Sequence, residues 1–319
     1  MKAAVCTRYG PPEVVQIEDV PTPAPGDGEV LVEAAATTVN SGDARLRALD
    51  VPRGMRVPVR LRMGLTKLRQ PILGFELAGP VQAVGAGVSD VRPGERVLVS
   101  RGFRFGCHAE FAVASAQGIL VKVPEQLSDQ DAVALCFGGS TALYFFQRAK
   151  LAPGETVLIN GASGAVGTMA VQLAKHSGAE VTAVCSAANG DLVRSLGADH
   201  VIDYAAEDFT RSGKRYDIVM DAHGNAPYQR IKDSLRPGGR FLMVVGDLAQ
   251  TLAATRQKRT IAGTPNDDAL ASSYRTLIAL AEQGAIKPVV DSVLPFTRIV
   301  DAHRRVDSGR KVGSLVLAF

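Results

Sequence analysis

The sequence lacks the paired cysteines from which metal and redox sites are commonly built. It contains four cysteines in 319 residues, and no two of them have Cys-x-x-Cys spacing. Structural zinc sites and redox dithiols need such neighbouring thiols, so we expect neither. In a reducing compartment, scattered thiols usually pack as small buried apolar groups. The four are Cys6, Cys107, Cys136 and Cys185.

Other absences exclude further classes of protein. No apolar run approaches the roughly 18 residues that a membrane-spanning helix needs. The formal net charge of +4 is mild and does not indicate the strongly basic face or arm of a nucleic-acid-binding protein. The chain begins with a strand-like segment, Lys2–Thr7, instead of a charged region followed by an apolar one. We therefore expect no secretory signal, no membrane span, no nucleic-acid partner and a cytoplasmic location.

The first part of the chain is rich in short β-like runs. The chain has 319 residues, 46% of them hydrophobic, which suits two domains. Up to about residue 125, short apolar runs alternate with turns containing Gly and Pro. This pattern is typical of a barrel or a sandwich rather than of βαβ units. The predicted strands are Glu29–Val32, Val81–Val84, Arg96–Ser100, Glu110–Ala114 and Leu120–Val123.

After residue 125 the pattern changes to alternating helices and fully apolar strands. A helix is predicted from about Ser128 to Lys150, and the alternation that follows indicates a parallel sheet covered on both faces. From about 265, we expect the tail to return to the first domain. The predicted domains are 1–125 with 265–319, and 126–264. Predicted strands are Thr156–Asn160, Glu180–Cys185, Val201–Ile202, Tyr216–Asp221, Arg240–Val245, Val289–Leu294 and Ser314–Phe319, and predicted helices are Gly164–His176, Asn189–Leu196, Asp267–Gln283 and Thr297–Asp307.

A glycine-rich turn joins the strand Thr156–Asn160 to the helix that follows it. It reads Gly161-Ala162-Ser163-Gly164-Ala165-Val166-Gly167. The pattern puts Ala162 at the tight first position, Gly164 where the backbone approaches a pyrophosphate, and Gly167 where the helix packs on the strand. Because the first N–H groups of the helix face the same point, the turn predicts a dinucleotide site.

The end of the second strand of this domain bears on which dinucleotide binds. A carboxylate there would bond the ribose 2′-hydroxyl of NAD, but the sequence reads Cys185-Ser186-Ala187-Ala188-Asn189. The missing acid favours NADP, and Ser186 and Asn189 can donate hydrogen bonds. Tyr204 follows the next strand and can reach the same pocket. No Arg or Lys stands in the turn, so Arg310 or Lys311 is a candidate for the missing positive charge.

These residues and their neighbours resemble the medium-chain dehydrogenase/reductase superfamily, in its quinone oxidoreductase-like branch. The resemblance spans the whole chain, and the order and spacing of its motifs make it specific. It implies an α/β fold with a GroES-like β-barrel domain and a Rossmann doubly wound parallel-sheet domain, and a homodimer joined through the Rossmann sheets. The motifs are Val39-Asn40-Ser41-Gly42-Asp43, Gly74-Phe75-Glu76-Leu77-Ala78-Gly79, Val84-Gly85-Ala86-Gly87-Val88, Pro93-Gly94-Glu95-Arg96-Val97, the Gly161–Gly167 turn, Leu196-Gly197-Ala198-Asp199 and Pro237-Gly238-Gly239.

The resemblance also implies that no zinc is bound. The zinc-dependent branch has a catalytic cysteine where this chain has the Ser41–Asp43 turn, and a histidine where it has Phe75. The cysteine-rich lobe for structural zinc is absent as well. Without a Lewis acid, reduction of a quinone or of a conjugated C=C bond is the easier chemistry, since NADPH carries it and the protein positions the reactants.

The resemblance assigns expected roles to several residues. It places Asn40 and Asp43 on the nicotinamide side of the cleft, with Asn40 able to donate to a developing enolate oxygen. Thr141 matches a helix residue that faces the nicotinamide. Tyr9 is a candidate proton donor, with solvent as the alternative. Ligands gather at the carboxyl ends of parallel strands, where this chain has Asn225, Val245 and Gly246.

The predicted function is thus an NADPH-dependent reductase of quinones or α,β-unsaturated carbonyls. Two alternatives stay open: a zinc-free NAD(P)-dependent alcohol dehydrogenase, and a non-catalytic NADPH-binding sensor. A Tyr-x-x-x-Lys at Tyr228–Lys232 matches short-chain dehydrogenases. It follows the glycine-rich turn too closely for that family, and in that family the turn lies near the N-terminus.

A basic segment between the Asn40 turn and the Gly74 motif fits none of these roles. Asp50 is its only acid, and apolar residues alternate with the cations. It is interpreted either as a solvated loop or as a flap that gates the site or attracts anionic or lipid-like substrates. The cations are Arg45, Arg47, Arg53, Arg56, Arg60, Arg62, Lys67 and Arg69.

Overall fold

The structure, a computed structural model, describes residues 1–51, 54–256 and 259–319. Arg53 of the basic segment lies outside them. Contacts divide the chain into two compact units. The first comprises Met1–Val51, Met55–Phe137 and Asn266–Phe319, and the second comprises Gly138–Pro265 with Gly54. The division falls inside a helix, whereas the predicted domain boundary precedes that helix.

The strands and helices follow each other along the described chain in this order. The strands are β1 (Lys2–Cys6), β2 (Val15–Asp19), β3 (Glu29–Glu33), β4 (Ala36–Thr38), β5 (Glu76–Val84), β6 (Arg96–Ser100), β7 (Phe111–Ser115), β8 (Ile119–Lys122), β9 (Thr156–Asn160), β10 (Glu180–Cys185), β11 (His200–Asp203), β12 (Tyr216–Asp221), β13 (Leu235–Met243), β14 (Thr260–Ile261), β15 (Val290–Pro295) and β16 (Ser314–Ala318). The α-helices are α1 (Ser41–Ala48), α2 (Arg56–Met63), α3 (Asp129–Ala149), α4 (Ala165–His176), α5 (Gly190–Ser195), α6 (Tyr228–Ile231), α7 (Leu248–Arg256), α8 (Asp267–Glu282) and α9 (Ile299–Asp307). Short 3₁₀ turns lie at Pro12–Val14, Gly102–Arg104, Ala187–Asn189, Phe209–Arg211, Lys232–Ser234 and Phe296–Arg298.

The first unit is built on a mostly antiparallel β-sheet. Its strand order is β15-β16-β4-β5-β3-β7, with β6 paired to both β5 and β8. The tail returns here, because Val316, Leu317 and Ala318 of β16 pair with β4. Apolar side chains fill the interior on both sides of the sheet: one group centres on Val30, Leu77 and Val99. The other group packs α1 and α9 against β1 and β16.

The second unit is a parallel sheet with the strand order β11-β10-β9-β12-β13-β14. Every pairing in it is parallel. Counted from β9, this is the Rossmann order 3-2-1-4-5-6, which reverses direction between β9 and β12. The predicted fold class is confirmed. Among the described residues, no helix combines the length and the apolar character needed to cross a bilayer.

Some elements were not predicted because tertiary context forms them. The turn at Ser41–Asp43 is the first turn of α1, and α2 lies in the basic segment despite Pro58. Strand β5 begins at Glu76 rather than Val81, although Gly79 and Pro80 lie inside it. A Cβ at Gly79 would collide with the carbonyl oxygen of Glu33, so the glycine lets neighbouring backbone approach. Strands β2, β4 and β14 and helix α7 were also missed.

A buried arginine ties α1 to the end of α9. The Arg47 side chain has no exposure, and its Nη2 atom bonds both oxygens of Asp307 at 2.7 and 2.6 Å. Its Nη1 atom donates to the Gly10 carbonyl at 3.0 Å. A guanidinium removed from water depends on such partners, since an unpaired buried charge is strongly unfavourable.

We predict that Asp307→Asn lowers the free energy of unfolding by about 2 kcal/mol. The change leaves the buried guanidinium of Arg47 without a counter-charge. The decrease in the free energy of unfolding is smaller than for a fully buried ion pair, because water reaches Asp307. Denaturant titration followed by fluorescence measures it. Glu13→Gln is the control, because the Glu13–Arg304 pair is exposed on both sides. Equal effects of the two substitutions would contradict a special role for the buried pair.

Candidate functional site

The glycine-rich turn leaves β9 one residue earlier than its pattern predicts. Gly161 has φ +82°, a left-handed conformation that favours glycine. Ala162, which the pattern puts at the tight position, is fully buried and follows the residue that has the left-handed conformation. The N–H groups of both residues donate to the Val184 carbonyl at 3.1 and 3.0 Å, which pins the turn to β10.

The two later glycines of the turn are needed for different reasons. A Cβ at Gly167 would meet the Gly161 carbonyl oxygen and lie 2.6 Å from the Cα of Ala162, so only glycine lets α4 pack this closely. A Cβ at Gly164 would meet a single atom, the Gly161 oxygen at 3.6 Å, and φ there is −76°. The protein's own geometry therefore does not require glycine at 164. The space beside it is open to a ligand.

The start of α4 offers backbone donors to that space. Gly164 is the N-cap residue of α4, and no side chain caps the helix there. The first N–H groups of a helix have no partner within the helix, and the helix dipole adds positive potential there. Ser163, Ala165 and Val166 are partly exposed. This arrangement suits an anion such as a pyrophosphate.

Helix α3 approaches the same point through Gly138. A Cβ at Gly138 would collide with the Ala165 carbonyl oxygen, so the two helices touch backbone to backbone. Thr141 follows three residues later, and side chains three apart share a helix face. Thr141 therefore lies on the face of α3 that meets the start of α4, and it is partly exposed.

Polar side chains meet at the carboxyl ends of β9 and β12, where the strand order reverses. Asn160 Nδ2 donates to Asp221 Oδ1 at 2.9 Å and to Asn225 Oδ1 at 2.7 Å. Asp221 also accepts the N–H groups of His223, Gly224 and Ala226 at 3.1, 2.9 and 2.8 Å. The buried carboxylate thus shapes the loop that carries Asn225.

The same loop links the glycine-rich turn to the end of β13. A Cβ on Gly161 would lie 3.2 Å from the Cβ of His223, and one on Gly224 would lie 3.0 Å from the Cβ of Val245. Gly246 follows directly and is partly exposed. The structure therefore brings together Gly161, Asn225 and Val245–Gly246, which the sequence had assigned to one cofactor site.

The ribose-side residues cluster at the ends of β10 and β11. The Tyr204 N–H donates to the Cys185 carbonyl at 3.2 Å, and the Tyr204 side chain is 65% exposed. Ser186 and Asn189 bracket a 3₁₀ turn, in which the Asn189 N–H donates to the Ser186 carbonyl at 3.0 Å. The three predicted residues thus surround Cys185.

Sequence reasoning missed two charged residues at this point. Asp203 pairs with Cys185 across β10 and β11. The pKa of Cys185 is raised by burial and by Asp203, and lowered by Arg194. The guanidinium of Arg194 bonds Asp191 at 3.0 Å and lies 3.3 Å from where a Cβ of Gly190 would be. The helical spacing Asp191-x-x-Arg194 is the sequence signal that could have indicated this position of Arg194.

In the first unit, Asn40 begins α1 and keeps one donor unused. Its Oδ1 accepts the N–H groups of Gly42 and Asp43 at 2.8 and 3.2 Å, which caps the helix. Its Nδ2 is buried and has no partner among the described residues. A buried donor without a partner is costly and rare, so this amide is suited to an oxygen that the chain does not supply.

Asp43 and Tyr9 are both held by the chain itself. Asp43 is fully buried, and it accepts the N–H of Asn40 and of Gly74, each at 3.0 Å. Burial raises its pKa, which the neighbouring His108 opposes. The Tyr9 hydroxyl donates to the Gly64 carbonyl at 2.8 Å. Asp43 thus braces the Asn40 turn, and the Tyr9 proton is engaged.

The position of a zinc ligand in the zinc-dependent branch is filled by an aromatic cluster. Phe75 packs edge-on against Phe105 and Phe103, with ring centroids 5.0 and 5.9 Å apart, and against Phe137 at 5.9 Å. Its ring lies 3.2 Å from where a Cβ on Gly42 would be. Phenyl and hydroxymethyl groups do not bind zinc as thiolate and imidazole do, so this donor set does not fit the metal.

A buried acid beside this cluster was not singled out from the sequence. Glu76 is buried, and its Oε1 accepts the Thr38 hydroxyl at 2.6 Å. Burial raises the pKa of Glu76 to about 8, and the nearby Asp43 adds to the shift. The carboxyl group is therefore mostly protonated at neutral pH. His108 bonds the Thr38 carbonyl at 2.8 Å beside it, in the loop before β7.

Arg310 and Lys311 lie in the loop between α9 and β16. Arg310 is exposed. The Lys311 ammonium donates to the Gly313 carbonyl at 2.7 Å, and burial lowers its pKa to about 8. Lys311 is thus tied to its own loop, and a role for either residue toward a 2′-phosphate stays a prediction.

Comparison with known proteins agrees with this geometry. Residues 26–125 match the alcohol dehydrogenase GroES-like domain, and residues 196–317 match a family described as zinc-binding dehydrogenase. A chloroplastic quinone oxidoreductase of Triphysaria versicolor is 32% identical over 94% of this chain and 92% of its own length. An NADPH-dependent alkenal/one oxidoreductase of Arabidopsis thaliana is 29% identical over 99% of this chain and 79% of its own. The quinone oxidoreductase structure from Coxiella burnetii superposes with a TM-score of 0.87 at 28% identity, covering 100% and 99% of the two chains.

Fold and site together define a two-unit oxidoreductase with a Rossmann dinucleotide-binding sheet. The chain belongs to the medium-chain dehydrogenase/reductase superfamily, in its quinone oxidoreductase-like branch.

We predict that Gly164→Ala weakens NADPH binding about tenfold or more without loss of stability. The added methyl fits the protein but points into the open space beside the turn, where it would displace a pyrophosphate. Fluorescence titration with NADPH and thermal unfolding measure the two effects. Gly167→Ala is the matched variant, and we expect it to lower the melting temperature because its methyl collides with the turn. Unchanged NADPH affinity in a stable Gly164→Ala protein would rule out this site.

Proposed function

We propose that this protein is an NADPH-dependent reductase of quinones or α,β-unsaturated carbonyls that works without zinc. The observation that carries the proposal is the environment of Gly42. Phe75 lies beside it in place of a metal ligand, and so does Asn40, whose buried Nδ2 has no partner within the part of the chain that the structure describes. A site that offers a hydrogen-bond donor but no Lewis acid suits a substrate whose oxygen gains charge after hydride arrives at carbon.

The residues of the second unit would hold the nucleotide. The N–H groups at the start of α4 and the open face of Gly164 receive the pyrophosphate, and Asn225 and Val245–Gly246 lie at the strand ends beside it. When bound, NADPH supplies the hydride. Thr141 lies on the helix face that meets the same turn and is assigned to positioning the nicotinamide.

The preference for NADPH over NADH rests on the ends of β10 and β11. No acid stands in the Ser186–Asn189 turn. Arg194 bonds Asp191 at 3.0 Å, but it also acts electrostatically on Cys185 and would support a 2′-phosphate there together with Tyr204. Asp203 acts against it by repelling a phosphate. We propose that the arginine prevails, since it belongs to the helix that follows the turn and its side chain folds back over Gly190.

In the first unit, Asn40 would act on the substrate oxygen. Its Nδ2 donates to the oxygen that becomes an enolate or a hydroquinone anion, while Oδ1 stays bound to the start of α1. Asp43 holds the turn that carries Asn40. We assign the proton to solvent, because the Tyr9 hydroxyl is engaged with Gly64. The resemblance also leads us to propose a homodimer.

The purified protein should oxidise NADPH when a quinone or an enone is added. We expect the kcat/KM for NADPH to be at least about tenfold above that for NADH. One charge-assisted hydrogen bond between a cation and the 2′-phosphate stabilises binding by about this factor. Absorbance at the NADPH band follows turnover, and zinc chelators should leave the rate unchanged. Reduction of NADP with alcohols and no enone turnover would instead establish an alcohol dehydrogenase. Tight NADPH binding without turnover on either panel would establish a sensor.

Substitution of Asn40 separates its two roles. Asn40→Ser keeps a good helix cap but withdraws the amide donor, and we expect kcat to fall about a hundredfold, as for loss of an oxyanion donor. Steady-state kinetics with an enone measure the loss, and denaturant unfolding serves as the control. A kcat within a factor of about two of the wild-type value would remove Asn40 from the mechanism.

A further inference from the structure

Helix α2 and the turn after it present a row of apolar side chains to solvent. Val57 is 67% exposed, and Leu61 and Leu65 are each 61% exposed. Val57 and Leu61 are four residues apart and therefore lie on one stripe of the helix. Leu65 follows in the turn just beyond the helix end and is exposed as well. Large apolar groups are rarely exposed in such a row unless something covers them.

The opposite side of the segment is anchored to the first unit. Met63 packs against the core that contains Leu68, which is buried. The Gly64 carbonyl accepts the Tyr9 hydroxyl at 2.8 Å, and the Arg69 N–H donates to the Met63 carbonyl at 2.7 Å. The C-terminal end of α2 and the turn after it are thus attached to the first unit, while Val57, Leu61 and Leu65 stay exposed to solvent.

Unpaired cations flank this row. The sequence holds no Asp or Glu from 51 to 75. Arg56, Arg60, Arg62, Lys67 and Arg69 are exposed, and within the part of the chain that the structure describes none of the five forms an ion pair. On the helix, Arg60 and Arg62 lie on either side of Leu61. The surface is therefore positive at its edges and apolar along its middle.

We propose that this ridge, residues Met55–Arg69, docks onto a bilayer of anionic phospholipid. Apolar side chains between cations are the chemistry of a helix that lies in the membrane interface, where the apolar row enters the acyl boundary and the guanidinium groups meet lipid phosphates. Nucleic acid would match the cations but would leave Val57, Leu61 and Leu65 in water. An anionic bilayer matches both features of the ridge.

Flotation of the full chain with lipid vesicles tests the proposal. We expect the protein to float with vesicles that mix phosphatidylcholine and phosphatidylserine, and to stay behind with phosphatidylcholine alone. Raising the salt concentration should release it, because the attraction between the cations and lipid phosphates is screened. Equal recovery with both kinds of vesicle, or with neither, would overturn the proposal.

Two double variants test the two halves of the ridge separately. Val57→Ser with Leu61→Ser removes the two exposed apolar side chains of α2, and Arg60→Gln with Arg62→Gln removes the two charges beside Leu61. We expect each to lower the vesicle partition coefficient about tenfold or more. Arg211→Gln with Arg215→Gln is the charge-matched control, since both arginines are exposed and lie in the other unit. It should float like the wild type.

Two further readouts separate the bilayer from other occupants. The melting temperature of each ridge variant should match the wild type, because the replaced side chains are exposed. In the absence of vesicles, light scattering should give each variant the same mass as the wild type. Steady-state kinetics should give it the same KM for a water-soluble quinone. A changed mass would assign the ridge to a second copy of the chain, and a KM raised only for anionic substrates would assign it to substrate capture. Either result, without loss of vesicle binding, overturns the proposal.

Discussion

Backbone-to-backbone contact around the start of α4 is the constraint on which the nucleotide site depends. Gly167 lets this helix touch the turn after β9, and Gly138 lets α3 touch the first residue of the same helix. Each contact closes because a Cβ is missing. With both in place, the free N–H groups of α4 and the open face of Gly164 point to one spot. The turn is also bonded to β10 through Val184, which fixes it relative to the second strand.

In the first unit, several polar side chains are buried at a place where no metal is expected. Asp43 is satisfied by two backbone N–H groups, whereas Glu76 accepts a threonine hydroxyl at Oε1 and has no partner for Oε2 among the described residues; burial raises its pKa to about 8. His303 lies nearby with both ring nitrogens unpartnered among the described residues, and burial holds its pKa well below the usual value. These groups are stable because they are neutral or hydrogen-bonded. Asn40 is the member whose amide donor stays available, which is why it carries the proposed chemistry.

The basic segment shows how residues close in sequence can differ completely in function. Arg47 is withdrawn from water and donates to Asp307 and to the Gly10 carbonyl, so it is part of the core. Arg60 and Arg62 lie on the next helix, α2, and are exposed to solvent beside apolar side chains. The interpretation of the segment as a solvated loop or a flap therefore does not apply to Arg47. The part on α1 is structural, and the part on α2 is a surface with its own chemistry.

Local patterns in the sequence determined the parallel sheet and the glycine-rich turn. Each depends on neighbouring residues: an apolar run for a buried strand, and a missing side chain for a close turn. The absence of a thiol from the Ser41–Asp43 turn and of an imidazole at Phe75 is also visible in the sequence, and its meaning comes from the resemblance to the zinc-dependent branch. What the tertiary structure alone decided are the meetings between distant residues. Asn160 reaches Asn225, Arg194 and Asp203 act on Cys185, and burial raises the pKa of Glu76 beside Thr38 of another strand. Hydrogen bonding, charge and burial act through space, so a residue's role depends on partners that its sequence neighbours do not reveal. The exposure of Val57, Leu61 and Leu65 is of the same kind, because periodicity marks an apolar stripe but does not say whether the fold covers it.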